Sequence, residues 1–338
     1  MSKENIYSPN KGKNFYSVKE ILNKIFFTFK KKRKIFYELL YLTFAIKLYH
    51  KISAKIIIFF VKRFGFDFYN NNKILRLLFF SGIRGMSLEE IFRIREPHII
   101  KIKKNDDKIL DDNYKNIIIE IREKGFCNVS NIFNLKDKDA ENVKNFFKTK
   151  ELYNGHDPLQ SDLKKINYSK IYNYETKHEI FNKGYFSFDV ETSLENQLIN
   201  NLFKSKKLKI IADLYCGFDT EPYTISTMLN IKKEIIHPVT SFHRDTDDFI
   251  SLGFFIYWSK TDKNNGATKY KIGSHRKDNN NNSEFILEAN PGTIIAGDWM
   301  GLHSGNQKIE DRERLITMIR FGKKINQSYM QTKSYYFF

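Results

Sequence analysis

The chain has 338 residues, room for one large domain or two smaller ones. Hydrophobic residues make up 41% and aromatics 15%, enough to bury a sizeable core, and the two cysteines, Cys127 and Cys216, are too few and too widely spaced for a disulfide framework. The net charge of +18 is concentrated: residues 1–104 hold 23 Lys/Arg against 7 Asp/Glu and the rest of the chain 34 against 32, which excludes a uniform compositional bias as its sole source.

Residues 1–20 are polar and lack the pattern of a secretory signal, so a reducing cytoplasm is the expected compartment. Residues 17–64 are predicted to be helical, with apolar residues at three- and four-residue spacing and Lys/Arg between them. The basic run Lys30–Lys34 sits among Ile25, Phe26, Phe27, Phe29, Ile35 and Phe36. That mixture fits a helix lying on an anionic membrane, peripherally at the inner surface; it fits equally a helical subdomain packed on the main body with solvated lysines. Nucleic acid ranks lower as a partner, because no nucleic-acid motif accompanies the run. The apolar stretch Phe36–Val61 is not a span, since Glu38, Lys47, His50, Lys51 and Lys55 interrupt it and a span needs about 20 mostly apolar residues.

Residues 66–110 read as mixed, broken at Ser81-Gly82 and at Pro97. The charge balance changes near 104, which divides the chain into a basic, mostly helical N-terminal region, 1–104, and a second domain, 105–338. A helix is predicted over 113–125, then a short strand Gly125–Val129, then a helix over 135–149. From residue 185 short strands are expected at Tyr185–Val190, Tyr223–Asn230, Leu252–Trp258, Thr268–Ile272, Phe285–Leu287, Thr293–Ala296 and Leu315–Phe321. Turn signals separate them, among them Lys263–Gly266, the Asn run 279–282 and Asn290–Gly292, and the spacing suggests a sandwich or barrel.

The chemistry centres on Phe242-His243-Arg244-Asp245. In extended chain residues i and i+2 face the same side, so His243 and Asp245 can converge on one point. An imidazole and a carboxylate are two thirds of a facial triad, which a second histidine completes while leaving positions open on iron(II). His303 is the best candidate for it, following a predicted strand and turn in Gly297-Asp-Trp-Met-Gly-Leu-His303. Asp247 and Asp248 are read as exposed acids or loop caps, and the cysteines as ordinary half-buried thiols.

The order of motifs around the triad resembles the phytanoyl-CoA dioxygenase family. The matching pieces are FHRDTDD at 242–248, FFIYWSKTDKNNGATKYKIGSHR at 254–276, PGTIIAGDWMGLHSG at 291–305 and RERLITMIRFG at 312–322, with KGFCNV at 124–129 as a weaker opening strand. The resemblance implies a mainly β fold with flanking helices, a double-stranded β-helix (jelly roll, cupin-like). It implies that His243, Asp245 and His303 hold Fe(II), and that a basic residue about eleven positions after the second histidine grips the distal carboxylate of 2-oxoglutarate. Arg314 stands at that offset, and Arg312, two residues earlier, is the alternative. His275 in the GSHR loop is expected to shape the mouth of the site rather than to bind metal. Ser304-Gly305 reverses the order found in some relatives, which puts a serine contact to the co-substrate in doubt.

The activity so implied is an Fe(II)/2-oxoglutarate-dependent dioxygenase that uses O2 to hydroxylate a small-molecule or lipid- or glycan-linked substrate, releasing succinate and CO2. An Asp at position 245, where halogenating relatives carry a small residue, points to hydroxylation. The competing class is a non-catalytic jelly-roll binding module in a membrane or glycan-assembly system. The sequence does not name the substrate, since pocket residues come from loops.

Overall fold

The computed structural model describes residues 44–109, 111–154, 165–168, 171, 185–231, 241–276, 283–305 and 313–323. The basic run Lys30–Lys34, the Asn run 279–282 and Arg312 lie outside the described residues. In chain order the strands are β1 (Phe126–Asn128), β2 (Glu151–Asn154), β3 (Lys165–Asn167), β4 (Tyr185–Ser187), β5 (Glu221–Asn230), β6 (Leu252–Tyr257), β7 (Thr268–Lys271), β8 (Glu284–Leu287), β9 (Ile294–Gly297), β10 (His303–Gly305) and β11 (Arg314–Gly322). They pair antiparallel in two sheets, one ordered β1-β9-β6-β11-β5-β4-β2-β3 and the other β10-β7-β8. The longer helices are Phe44–Phe64, Leu88–Lys103, Asp112–Lys124, Asp137–Lys148 and Lys206–Cys216.

The central strands β6, β9 and β11 are buried along their whole length. Their side chains alternate between two cores, as a period of two requires. Leu252, Phe254, Ile256, Ile294, Ala296, Leu315 and Ile319 join the core that includes Leu208, Ile211 and Ala212 of the Lys206–Cys216 helix. Phe255, Tyr257, Ile295, Ile316 and Met318 face the other way, in one cluster with Tyr270 and Leu287 of the smaller sheet. Arg314 and Arg320 have the parity of Ile316 and Met318 and so belong to this second face. Burial on both faces explains why these strands read as continuous apolar runs.

The expected strands in the second half form within two residues of their predicted ends, apart from the first. Tyr185–Val190 is extended only to Ser187, because the Asp189 side chain accepts the Thr192 N–H at 2.7 Å and starts a helix at Val190. The helices between Val190 and Cys216 went unpredicted, although Asn196 and Ser205 cap two of them in the same way. The stretch 66–103, read as mixed, is largely helical. Gly82 does not break it: a Cβ there would lie 2.4 Å from Ile57 Cδ1, so the glycine serves close approach of two helices. Leu88–Lys103 runs through Pro97 although proline removes a ladder hydrogen bond. Its flanking residues Arg95 and His98 are fixed by long-range partners, Asp298 and the Cys216 carbonyl, and that tertiary packing overrides local propensity.

Leu48–Phe338 form one compact unit. No described helix is long and apolar enough to cross a membrane. Both cysteines are free and fully buried rather than half-buried.

Candidate metal centre

His243, Asp245 and His303 converge as expected: one ligand atom of each lies within 4.8 Å of the others. Two backbone hydrogen bonds bring the histidines together, His243 N–H to the His303 carbonyl at 2.9 Å and His303 N–H to the His243 carbonyl at 3.0 Å. Asp245 N–H donates to the Trp299 carbonyl at 2.9 Å, so the loop before β10 anchors both ends of the triad. Each histidine places Nδ1 2.9 Å from a backbone carbonyl, Ser241 for His243 and Gly301 for His303. Donation there fixes the tautomer and leaves the Nε2 lone pairs free for a metal. Those Nε2 atoms stand 3.6 Å from Asp245 Oδ1 and Oδ2 respectively, beyond hydrogen-bond reach and around a common gap.

The protonation states suit a cation. Burial holds the His303 imidazole below its usual range, with Asp245 pulling it back up and His243 pushing it further down. Burial alone would raise the Asp245 carboxyl, but Arg320 and the two histidines outweigh it and hold it below the usual carboxylate range. Two imidazoles and one carboxylate on one side of a gap are the donor set of a facial iron(II) site.

Arg314 is 5% exposed at the start of β11. Its guanidinium donates to Asn230 Oδ1 at 3.2 Å and to Thr268 Oγ1 at 3.1 Å, both neutral, and has no carboxylate partner among the described residues. Among the described residues its Nε has no hydrogen-bond partner, and neither has the hydroxyl of Tyr257, whose ring lies 5.8 Å from the guanidinium carbon. A buried cation beside an unsatisfied donor is costly unless an anion completes it. Thr268 pairs with Gly305 in the register that sets Tyr270 opposite His303, so the Arg314 guanidinium reaches the facing sheet at a residue two places along β7 from the one opposite His303.

The sequence reading did not find Arg320. Its guanidinium contacts both Asp245 and Asp247, and Asp247 also accepts from the Tyr223 hydroxyl at 3.3 Å. The period of two from Arg314 was the available signal. Asp248, read as an exposed acid or cap, is buried: it caps the Phe249 N–H at 2.7 Å and forms a two-pronged pair with Arg76 at 2.7 and 3.2 Å. A second buried arginine from the basic third, Arg95, pairs with Asp298, which also accepts the Tyr215 hydroxyl at 2.5 Å and the Met300 N–H at 3.0 Å. Two of the N-terminal charges thus end in the loops that carry the candidate triad, one three residues after Asp245 and the other five before His303. Removing one member of such a buried pair typically costs about 3–5 kcal/mol.

The GSHR loop also serves the site. Ser274 Oγ accepts the Leu302 N–H at 2.7 Å, and the Ser274 and Met300 carbonyls accept from Arg244 at 2.7 and 2.5 Å. Tyr270 reaches the Asp298 carbonyl at 2.6 Å, past Gly125 and Gly301; a Cβ on Gly301 would lie 1.8 Å from its hydroxyl oxygen. His275 is not a ligand: it is buried with Nε2 3.2 Å from the Arg122 carbonyl. Ser304 is buried and its hydroxyl has no hydrogen-bond partner.

No protein-family model matches the sequence, and no curated protein matches it. Among solved structures the chain is similar to the non-heme alpha ketoglutarate dependent epimerase SnoN from nogalamycin biosynthesis, at 13% identity and a TM-score of 0.46, over 63% of this chain and 83% of that one. It is similar to EvdO2 from Micromonospora carbonacea var. aurantiaca complexed with 2-oxoglutarate, at 12% identity and a TM-score of 0.43, over 64% and 96%. It is also similar to the carbocyclase SnoK from nogalamycin biosynthesis, at 11% identity and a TM-score of 0.42, over 63% and 84%.

Proposed function

We propose that this protein is an Fe(II)- and 2-oxoglutarate-dependent oxygenase on a double-stranded β-helix. The observation that carries the proposal is the pairing of a His-Asp-His donor set with a buried arginine, Arg314, that lacks an anion. Taking β5, the His243 segment, β6, β7, β8, β9, β10 and β11 as segments one to eight, the pairing is 1-8-3-6 in one sheet and 2-7-4-5 in the other. That order supports the jelly-roll reading, two Greek keys folded into facing sheets.

His243 and His303 would hold the metal through Nε2 and Asp245 through its carboxylate. Their Nδ1 hydrogen bonds orient the rings before metal arrives, which a ligand set needs if it is to be rigid. Arg314, with Thr268 and Tyr257 beside it, would take the distal carboxylate of 2-oxoglutarate. A guanidinium suits that task because it offers two parallel donors. Two strand residues span roughly 7 Å, which suits a five-carbon diacid reaching from Arg314 to the metal. Trp299 and Phe255, stacked with centroids 3.9 Å apart, and Tyr270 wall the interior and keep water from it. An iron held by His243, Asp245 and His303 would supply O2 activation coupled to oxidative decarboxylation of 2-oxoglutarate to succinate and CO2, with the second oxygen atom available to a substrate C–H bond. Hydroxylation of a small-molecule or lipid- or glycan-linked substrate, as in the phytanoyl-CoA dioxygenase family that the motif order resembles, is the finer form of this reading.

The test is succinate formation by the full chain with iron(II), 2-oxoglutarate and O2, together with the visible charge-transfer band of the iron–2-oxoglutarate complex without O2. Both should be present, and both should be lost in folded His303→Ala and Asp245→Ala. A folded wild-type chain that binds neither iron nor 2-oxoglutarate would instead support a binding module.

A further inference from the structure

Large hydrophobic side chains left exposed are concentrated in one part of the described structure. Of twelve, ten lie between residues 48 and 100, and the rest of the described chain keeps only Ile210 and Phe285. They also form a pattern. On the Phe44–Phe64 helix, Leu48, Ile52 and Phe59 are exposed with half-buried Ile56 between them, a stripe at helical spacing. The opposite face, with Ser53, Ala54 and Ile57, is buried. From Phe59 the apolar surface passes round the helix through an aromatic cluster: Phe60 lies 5.4 Å from Phe59 and 5.8 and 5.9 Å from Phe64 and Phe68, whose ring centroids are 4.8 Å apart. Beyond it Ile74 and Leu77 are 71% and 58% exposed.

Lys51, Lys55 and Lys62 flank this stripe one helical position away, all exposed, and Arg63 sits within it. The helix has no acidic residue. The nearest acid, Asp67, is neutralised by Lys101 at 2.7 Å. Patches of this kind on a soluble protein mark interaction sites, and an apolar strip beside lysines fits the boundary between acyl chains and anionic headgroups. An acidic protein partner would complement the lysines but would leave the scattered Phe and Ile without shaped pockets. A membrane accommodates both, since it is apolar beneath and negative at its surface.

We propose that this face, centred on Ile52, Phe59, Phe64 and Phe68 with Lys51, Lys55 and Lys62, docks the protein on an anionic lipid bilayer. The docking is peripheral: the aromatic side chains enter the headgroup layer and the lysines stay at its surface. It is independent of the iron chemistry and is tested without it.

The experiment is flotation of the full chain with phosphatidylcholine vesicles, with and without 30 mole per cent phosphatidylglycerol, roughly a strongly anionic surface. The wild type should float with the anionic vesicles only, and less as salt rises. Lys51→Gln/Lys55→Gln/Lys62→Gln should weaken partitioning by roughly fivefold for each lysine. Ile52→Gln/Phe59→Gln/Phe64→Gln should abolish stable binding. All six side chains are exposed, so unchanged circular dichroism is expected of both variants. Three results would overturn the proposal: no flotation of the wild type; flotation unaltered in both variants, which would assign it to residues 1–43; or loss in the apolar variant of a concentration-dependent dimer seen in the vesicle-free wild type, which would make the face a contact between copies.

Discussion

The two ends of β11 each present a buried arginine to the same space between the sheets, and the two are matched differently. Arg314 meets only neutral oxygens, Asn230 Oδ1 and Thr268 Oγ1. Arg320, six residues on and on the same face, meets two carboxylates, Asp245 and Asp247. Identical side chains on one strand therefore do opposite work. An unmatched guanidinium is free to receive an anion from outside the chain, the role proposed for Arg314. A matched one is a counter-charge for an anion the fold already contains, here the carboxylate expected on the metal.

The strongest way to break this comparison is at Arg314. Arg314→Met should raise the KM and dissociation constant for 2-oxoglutarate about 10- to 150-fold for each charged hydrogen bond lost, with iron affinity little changed. Arg314→Lys should fall between, because an ammonium keeps the charge but not the two-pronged fork. Unaltered 2-oxoglutarate affinity in titrations followed by the charge-transfer band would move the role to Arg312. At the other end, Arg320→Met should weaken iron(II) about 10- to 100-fold, the range for partners that orient metal ligands, with little effect on 2-oxoglutarate at saturating iron. If Arg320→Met instead behaves like Arg314→Met, the two ends are not distinct.

A smaller effect concerns pH and keeps the comparison clean. Burial lowers the His275 imidazole from 6.5 to about 4. The unfolded chain therefore takes up that proton first as pH falls. His275 contributes full stability above about pH 6.5, and that contribution is lost progressively towards pH 4, about 3 kcal/mol over the window. His275→Gln should flatten the decline of the urea midpoint between pH 6.5 and 4.5. Comparisons of Arg314 and Arg320 variants belong above that window, where His275 does not titrate.

Much of the site was legible in the chain, for reasons that differ by residue. His243 and Asp245 could be paired because strand geometry is local: two residues apart means one side. Strands β6, β9 and β11 were legible because both faces are buried, so they read as largely apolar runs between Asn- and Gly-rich turns. Arg320 was on view by the same period of two, yet nothing local distinguishes a charge that faces a carboxylate from one that faces water. The helices between Val190 and Cys216 were missed although Asp189, Asn196 and Ser205 caps start them.

By itself the sequence determined the donor types, their local spacing and the positions of most strands, because these depend on side-chain chemistry and on the repeat of extended chain. Only the tertiary structure decided which charges serve inside the molecule. The excess of basic residues in the N-terminal third resolves into two kinds: Arg76 and Arg95, buried against Asp248 and Asp298 in the loops that hold the metal ligands, and lysines left at the surface of the Phe44–Phe64 helix. The partners of those arginines lie 172 and 203 residues away in the chain. Pairing over such distances is set by how helices and sheets pack, which no local pattern encodes.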